Sequence, residues 1–393
     1  MNIDDFLLKY EDEVIRIRRR LHQCAELSTL EYETGQMIRE LLEDWDISYE
    51  YPIADTGLTA LIPGKKEGAG KVVALRADMD ALPVYEDRNH PFCSKNPGVM
   101  HACGHDAHMA IALSVARYFK LIETQFSGCI KLLFQPAEET IGGALRMMEE
   151  GCLENPKVDY CIGLHMAPYL ETGDIEVKYG KLYAASDEVV ITLKGKGCHG
   201  AYPDTGIDAI VLAAQLISSL QTLVSRSVSP MDQCVLSFGT IQGGNAHNII
   251  ADTVILTGAL RTTDKDTRIH IKELIEQQVQ GLCAAFGGSG TVHFKPGYDA
   301  LINTDELVDV LVRESEPILG KTHIHWKETP GMGVEDFSFF LEKTPGVFYH
   351  LGCGNKEKGL TAPLHSRDFS LDEASLALGI RLQIMLAEAL LKL

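Results

Sequence analysis

The chain has 393 residues, a length that favours two or three domains over one small module. Hydrophobic residues make up 45% and charged residues 23%, which is the composition of a packed globular protein and excludes a disordered or collagen-like chain. Asp and Glu outnumber Lys and Arg by 55 to 36, and a net charge of −19 repels nucleic acid and anionic lipid. We therefore expect neither a nucleic-acid nor a membrane partner.

The N-terminal sequence and the cysteines indicate a cytoplasmic location. The first residues, MNIDDFLLKYEDEVIRIRRRL, carry charges every few positions, whereas a signal peptide needs an uninterrupted apolar core. No other stretch approaches the roughly 18 charge-free apolar residues of a membrane-spanning helix. The ten cysteines form neither a C-x-x-C pair nor a regular framework, so we expect them to stay reduced.

The first part of the chain predicts an α/β domain. Apolar residues recur at three- and four-residue steps over positions 3 to 45, which predicts helix. From Leu58 onward, short apolar runs alternate with helical patterns, as in parallel strands joined by crossover helices. The predicted strands are Lys71–Leu75, Cys129–Phe134 and Val158–Leu164, and the predicted helices are Ala107–Phe119 and Gly142–Glu150. Polar residues follow each strand, where ligands bind in open α/β sheets.

Residues 184–298 predict a second domain inserted into the first. Their order is β-α-β-β-α-β, the ferredoxin-like split unit, with strands at Glu188–Lys194, Cys234–Gly239, Thr253–Arg261 and Gly290–Phe294 and helices at Ile207–Val224 and Thr267–Phe286. The α/β pattern then resumes with a strand at Gly346–Leu351 and a helix at Ser370–Leu393 that opens in capping-box form. Residues 1–183 and 299–393 are therefore assigned to one domain.

The densest group of chemically active residues is Met100-His101-Ala102-Cys103-Gly104-His105-Asp106-Ala107-His108. Three imidazoles, a thiol and a carboxylate are all metal-ligand types, and each needs a partner when buried. A polar helix start with Asp106 as N-cap is the simplest alternative. A thiolate nucleophile formed by Cys103 with His105 or His108 is another.

Further ligand-type residues lie at predicted strand ends and favour a metal site over these alternatives. Glu138 and Glu139 follow one strand, His165 ends another, and His365 lies in a loop before the last helix. Adjacent carboxylates repel each other when buried, and a cation is the usual way to hold them together. One can then bind a metal while the other takes a proton from water. A cysteine nucleophile would leave all four residues without a role.

Five motifs together resemble the M20 metallopeptidase family, and more narrowly its amidohydrolase branch of hippurate hydrolases, N-acyl-amino-acid deacylases and auxin-conjugate hydrolases. They extend in order over nearly the whole chain, as Ala74–Pro83, Met100–Asp106, Phe134–Glu139, Gly163–His165 and Gly333–Phe337. The resemblance implies a metal-dependent exopeptidase-like catalytic domain with a mixed, mostly parallel sheet. It also implies that the inserted domain acts as a lid and in dimerisation.

The resemblance implies two divalent metal ions per chain. Cys103 matches a ligand that bridges them, His105 and His165 complete one site, and Glu139 and His365 complete the other. Glu138 matches the general base, and Asp80 matches an outer carboxylate that orients a ligand. Sulfur ligation favours Zn²⁺, Co²⁺ or Ni²⁺ over Mg²⁺ or Ca²⁺, and Mn²⁺ is also compatible.

In the inserted domain the resemblance assigns substrate contacts. His199 matches a histidine that polarises the scissile carbonyl, often from the partner subunit, Asn248 matches a substrate contact, and Arg261 matches an arginine suited to the substrate carboxylate. The family commonly shows Gly-Gly-His-Ala-Ala-Met-Pro-His in this loop. This chain has Cys198 before the histidine and ends in Tyr202-Pro203-Asp204, a difference that leaves substrate preference open.

We therefore expect a metal-dependent hydrolase that cleaves the amide of an N-acyl or N-aroyl amino acid. A dipeptidase or aminopeptidase that uses the same metal site is the main alternative, since only the substrate pocket would differ. A non-catalytic binding relative is a third hypothesis, which the presence of Glu138 and the full ligand set opposes. The open edges of the inserted sheet favour a homodimer through that domain.

Overall fold

The computed structural model describes residues 1–86 and 90–393. Its helices are α1 Ile3–Gln23, α2 Tyr32–Asp44, α3 His105–Leu121, α4 Gly143–Glu149, α5 Ala209–Thr222, α6 Lys265–Phe286, α7 Asp305–Leu319, α8 Ser338–Lys343 and α9 Ala374–Leu390. Its strands are β1 Ser48–Ile53, β2 Gly57–Pro63, β3 Val72–Asp78, β4 Cys129–Gln135, β5 Tyr160–Glu171, β6 Ile175–Val177, β7 Gly180–Tyr183, β8 Ala185–Lys194, β9 Cys234–Gly243, β10 Thr253–Thr262, β11 Ser289–Pro296, β12 Leu301–Asn303, β13 Ile324–Trp326 and β14 Gly346–Gly354.

The chain forms two compact units. Unit 1 consists of Met1–Gly180, Ile302–Glu328 and Asp336–Leu393, and unit 2 of Lys181–Leu301 and Thr329–Glu335. All ten cysteines are free thiols.

Unit 1 contains an eight-stranded sheet in the order β1-β2-β4-β3-β5-β14-β6-β13. Four pairs, β4–β3, β3–β5, β5–β14 and β6–β13, are parallel, whereas β1–β2, β2–β4 and β14–β6 are antiparallel. This confirms the predicted mixed, mostly parallel sheet. Every residue of β4 is buried, as expected for a central strand that is covered on both faces.

The parallel register brings polar strand ends to one edge of the sheet. Asp78 ends β3 and pairs with Gln135, which ends β4. Glu138 and Glu139 follow Gln135 directly, and His165 lies on the neighbouring strand β5. These residues therefore meet where ligands bind in open α/β sheets.

Unit 2 has the predicted β-α-β-β-α-β order. Its antiparallel sheet has the order β11-β8-β10-β9, and α5 and α6 supply core residues such as Leu212, Leu216, Ile271 and Ile275. The expectation that no stretch approaches a membrane-spanning helix is wrong by length and composition, since Ala209–Ser227 is long and apolar enough to cross a membrane. Its face with Leu212 and Leu216 is buried in the core of unit 2, which accounts for its apolar character.

Two helix predictions need correction. Residues 3 to 45 do not form one continuous helical segment: α1 ends at Gln23 and α2 begins at Tyr32, and Leu27 between them makes a bridge to Ala81. The last helix begins at Ala374 rather than Ser370, because Asp372 accepts a hydrogen bond from the Ala374 amide and ends the preceding loop there. Helix α7 was not predicted.

Candidate metal centre

The Cys103–His105 segment forms a tight turn into α3. Gly104 adopts a left-handed conformation with φ of 86°, and a Cβ there would lie 3.0 Å from the Met166 Cβ. Only glycine adopts this conformation without strain next to so close a neighbour. Cys103 and His105 are consequently held, fully buried, on either side of the turn.

The five predicted metal ligands meet in two overlapping groups. Cys103, His105 and His165 form one group, and Cys103, Glu139 and His365 form the other, with the candidate ligand atoms of each group within 4.8 Å of one another. The Cys103 Sγ lies 3.4 Å from the Nε2 atoms of both His165 and His365. The His365 Nε2 is 3.3 Å from Glu139 Oε1. Cys103 is thus the member that the two groups share.

Hydrogen bonds to backbone fix the imidazoles in the form that a metal requires. His105 Nδ1 donates to the Asp80 carbonyl at 2.8 Å, and His165 Nδ1 donates to the Met166 carbonyl at 2.9 Å. In its neutral form each ring therefore presents the lone pair of Nε2 to the centre. Anchoring of the distal nitrogen is the usual support for a metal-binding histidine.

The donor set fits two divalent ions. His105 Nε2 and Glu139 Oε1 are buried, lie 3.9 Å apart, and have no hydrogen-bond partner within the described part of the chain. Burying such atoms without a partner is costly, and a cation between them removes the cost. Three imidazoles, a carboxylate and a shared thiolate are zinc-type ligands, and three protein ligands in each group leave a fourth coordination position for water or substrate.

The electrostatics of the cluster oppose a cysteine nucleophile. Burial, together with Glu139 and Glu138, raises the pKa of the Cys103 thiol well above its ordinary value. Burial lowers the pKa of His165 well below its ordinary value, so that ring is a neutral donor rather than an imidazolium partner for a thiolate. A Cys–His nucleophile needs a lowered thiol pKa, which Cys103 does not have. Burial lowers the pKa of His105, but Asp78 and Asp80 outweigh it and raise that pKa to about 10, so it is the Cys103 thiol that opposes this nucleophile. The thiolate form of Cys103 therefore depends on a bound cation.

His108 is excluded as a ligand by its own hydrogen bonds. Its Nδ1 donates to Asp78 at 2.6 Å, and its Nε2 accepts from the Met166 amide at 3.0 Å. Both ring nitrogens of His108 are therefore already hydrogen-bonded within the protein. The ring instead supports the backbone next to His165.

Asp78 belongs to a buried polar network that sequence reasoning did not resolve. Arg76 donates to Asp78 at 2.7 Å and to Asp336 at 3.0 Å, and Asp336 also accepts from Gln135 and from the Ala144 amide. Burial raises the pKa of Asp78, but Arg76 and two nearby histidines outweigh it, and the pKa lies well below the ordinary value. The network fixes the ends of β3 and β4, from which the site is built.

The loop that carries Glu138 and Glu139 is held by two further carboxylates. Asp80 Oδ2 accepts from the Glu139 amide at 2.9 Å and from Ser28 at 2.7 Å. Glu31, which is fully buried, accepts from the Ala137 amide at 2.9 Å. Asp80 was predicted to be an orienting carboxylate, but no sequence pattern singled out Glu31. Glu138 is 8% exposed and belongs to a ligand-type group with His105 and Glu139.

The three predicted substrate residues all lie in unit 2. His199 and Asn248 are on adjacent loops, since His199 bridges to Ile249 and the Gly200 amide donates to the Asn248 carbonyl at 2.8 Å. His199 Nδ1 accepts from the Ala201 amide at 3.0 Å, so its proton is on Nε2. The outer nitrogen of His199 is therefore a hydrogen-bond donor.

Arg261 lies at the other end of the unit 2 sheet. It pairs with Ser186 and Val235, whereas the His199 loop follows Lys194, the partner of Thr253. Its Nη1 is buried with no hydrogen-bond partner in the parts of the chain that the structure describes. Burial lowers the pKa of this arginine. A half-buried guanidinium with a free Nη1 among the described residues is suited to an anionic ligand.

Comparison with known proteins agrees with this chemistry. The model of the family described as "Peptidase family M20/M25/M40" matches residues 74–389. An N-acetyl-L-cysteine deacetylase from Bacillus subtilis is 39% identical, covering 93% of this chain and 85% of its own. Thermostable carboxypeptidase 1 from Saccharolobus solfataricus is 37% identical, with coverage of 96% and 95%. The crystal structure of the Bacillus subtilis YXEP protein, titled a dinuclear metal binding peptidase, superposes with a TM-score of 0.85 at 33% identity and covers 98% of this chain and 99% of its own.

The fold and the clustered ligands define a metal-dependent hydrolase. The chain belongs to peptidase family M20/M25/M40, as the matched span and the identities to its relatives show. The resemblance inferred from the five sequence motifs is thereby confirmed.

Proposed function

We propose that this protein hydrolyses the amide bond of N-acyl or N-aroyl amino acids and releases a carboxylic acid and a free amino acid. The observation that carries the proposal is the pair of ligand groups that share Cys103, with Glu138 beside them. The named activities of its relatives, which include N-acetyl-L-cysteine deacetylase, support this substrate class.

Two divalent ions are the proposed cofactors. Cys103, His105 and His165 would hold one, and Cys103, Glu139 and His365 the other. When bound, such ions supply Lewis-acid polarisation of the carbonyl and make water more acidic. Zn²⁺ suits a set of thiolate, imidazole and carboxylate, and Co²⁺, Ni²⁺ or Mn²⁺ can replace it.

Glu138 is the proposed general base and acid. It removes a proton from the water that attacks the amide carbonyl and later delivers that proton to the leaving amine, so that it ends the cycle ionised. Its neighbour Glu139 has an oxygen 3.3 Å from His365 and acts as a ligand. The two adjacent carboxylates are thus assigned different tasks, Glu139 as a metal ligand and Glu138 as the base.

His199, Asn248 and Arg261 are the proposed substrate contacts. Because the Ala201 amide fixes its tautomer, His199 offers an N–H to the oxygen of the scissile carbonyl, where negative charge develops in the transition state. Arg261 pairs with the carboxylate of the amino acid, and the absence of a hydrogen-bond partner for its Nη1 within residues 1–86 and 90–393 supports this role.

We also propose a homodimer in which His199 and Asn248 serve the site of the partner chain. Thr253 and Arg261 lie eight residues apart on β10, about 26 Å at about 3.3 Å per residue, and the His199 loop is at the Thr253 end. An N-acyl amino acid is shorter than this. A site to which two chains contribute one end each would let one substrate contact both residues.

A substrate panel tests the reaction class. Purified protein with added Zn²⁺, Co²⁺, Ni²⁺ or Mn²⁺ is assayed on N-acetyl, benzoyl, phenylacetyl and indolylacetyl amino acids beside simple dipeptides. We expect the acyl amino acids to give the higher kcat/KM. A clear preference for dipeptides would instead support the dipeptidase alternative.

The roles of the two glutamates are tested by matched amide variants. Glu138→Gln should keep its metal and lose about 10²- to 10⁴-fold in kcat, the range for loss of a general base. Glu139→Gln should lose metal as well. If the metal loss follows Glu138→Gln, the two roles are assigned in reverse.

Mixing two inactive variants tests the dimer. His199→Ala and Glu138→Gln chains are combined under conditions in which subunits exchange. If His199 acts across the dimer, each heterodimer contains one site with both residues intact, and activity returns toward half that of the wild type. Demonstrated exchange without recovery would refute the shared site, and a strictly monomeric protein would remove its premise.

A further inference from the structure

A second group of metal-ligand side chains lies in unit 1, apart from the five ligands described above. It consists of His22 at the end of α1, Glu86 and His90. Glu86 Oε1 is 3.1 Å from His22 Nε2 and 2.8 Å from His90 Nε2. Two imidazole nitrogens from distant parts of the chain thus converge on one carboxylate oxygen, and all three ligand atoms lie within 4.8 Å of one another.

The outer atoms of this group are anchored in the manner of a metal site. His22 Nδ1 donates to Asp106 at 2.8 Å, which gives the carboxylate–imidazole pair that commonly supports a metal-binding histidine. Glu86 Oε2 accepts from the Ser94 amide at 2.7 Å, so Oε1 is the oxygen left for the cluster. The centre of the Phe92 ring lies 4.1 Å from that of His90, with the two rings tilted by 40°.

Both nitrogens of His22 and the Nε2 of His90 contact carboxylate oxygens, which an ion could replace at Glu86, and one nitrogen of the group is left without a partner in the described residues. His90 Nδ1 is buried without a partner in the described residues. His101, with its ring centre 6.3 Å from that of His22, is 1% exposed and also lacks a partner on both nitrogens among those residues. Buried imidazole nitrogens are normally paired, and an uncommitted imidazole beside the cluster is what a cation site can use.

We propose that His22, Glu86 and His90 form a third metal site for a zinc-type divalent ion. Two histidines and one carboxylate are a ligand set that zinc takes in proteins, with the fourth position open to water. Imidazole donors favour Zn²⁺, Co²⁺ or Ni²⁺ over Mg²⁺ and Ca²⁺. The His90 side chain is 21% exposed, so an ion can enter from solvent.

The surrounding charges permit a cation at this position. Arg18 and Arg19 are close, but Arg18 pairs with Asp106 at 2.8 Å and Arg19 pairs with Glu373 at 2.6 Å. Glu86 keeps its carboxylate for the ion. Because Asp106 directly follows His105, the third site would brace the first turn of α3 without contributing a ligand to the two-metal centre.

Cobalt titration of chelator-treated protein tests the proposal and separates the sites. Cobalt at the Cys103 centre gives sulfur-to-cobalt charge-transfer absorption, whereas cobalt at a His₂Glu site gives only visible ligand-field bands. We expect the wild type to bind three cobalt ions, and binding of the third should not increase the sulfur-to-cobalt charge-transfer absorption. In His90→Ala, the affinity for that ion should fall by at least about 10- to 100-fold, because loss of a residue that only supports a ligand already has this effect.

Two control variants identify where the third ion binds. His270→Ala removes an exposed histidine and should leave three ions. His323→Ala removes a surface histidine that contacts Asp174 at 2.6 Å, next to His325, and should also leave three. Saturation of the wild type at two ions, or loss of the third ion in His323→Ala but not in His90→Ala, would overturn the proposal. Failure of the proposed hydrolase would appear separately, as loss of charge transfer and activity.

Discussion

Glu31 connects helix α2 to the loop that carries Glu138, although it lies outside the five ligands and the base. Its carboxylate accepts from the Ala137 amide at 2.9 Å and from the Thr56 hydroxyl at 2.5 Å. Ala137, directly before Glu138, has a φ of 55°, a left-handed conformation that costs a non-glycine residue about 1–2 kcal/mol. A hydrogen bond to a charged acceptor contributes about 1.5–3 kcal/mol, enough to hold Ala137 there.

Glu31→Ala should therefore release this loop. It leaves the Ala137 amide and the Thr56 hydroxyl unpaired, and both residues are at most 1% exposed. If Glu138 is displaced and the whole 1.5–3 kcal/mol is added to the activation free energy, kcat falls about 10- to 150-fold, because about 1.4 kcal/mol corresponds to a tenfold change in rate. KM should change little, because Glu31 does not belong to the proposed substrate contacts.

The assay compares kcat, KM and metal content per chain for Glu31→Ala, Glu31→Gln and Glu40→Ala at saturating metal. Gln can still accept from Ala137 with its amide oxygen and donate to Thr56, so it should recover most of the activity. Glu40, an exposed residue of the same helix, is the matched control. An unchanged kcat in Glu31→Ala, or equal losses in the Ala and Gln variants, would refute the reasoning.

Three other predictions concern metal, packing and pH. Prolonged chelation should abolish activity and added Zn²⁺ or Co²⁺ should restore it; full activity in metal-free protein would contradict the site. Gly163→Ala places a Cβ 2.5 Å from the Phe348 ring, and urea unfolding should show a loss of about 1–3 kcal/mol through overpacking, whereas an unchanged midpoint would be inconsistent with this contact. Burial raises the pKa of Glu176, but His350 and Lys327 outweigh it and lower the pKa to about 2. Ionised Glu176 should therefore add about 2–3 kcal/mol to the free energy of unfolding above about pH 5, and this contribution should be lost as the pH falls toward 2. The measurement is the difference in free energy of unfolding between the wild type and Glu176→Gln across this pH range.

The helices and strands that carry the site, and the residue types of its ligands, could be predicted from the sequence alone. Apolar periodicity is a local property, so the strands around Leu75 and Leu132 and the β-α-β-β-α-β order of the inserted segment could be predicted from it. The grouping of ligand types at strand ends was also predictable, because parallel strands bring their carboxyl ends to one edge. Cys103, Glu139 and His165 meet there.

The different hydrogen-bond partners of chemically similar residues depend on the tertiary structure. His105 and His108 are three positions apart in one segment, yet the His105 Nε2 has no hydrogen-bond partner in the described part of the chain, while both nitrogens of His108 are hydrogen-bonded to Asp78 and Met166. Helix α2 likewise sets Glu31 beside Ala137, a pairing across 106 residues of chain. A residue's type limits what it can bind, but the partner that its nitrogen or oxygen meets is set by long-range packing, which no local pattern encodes.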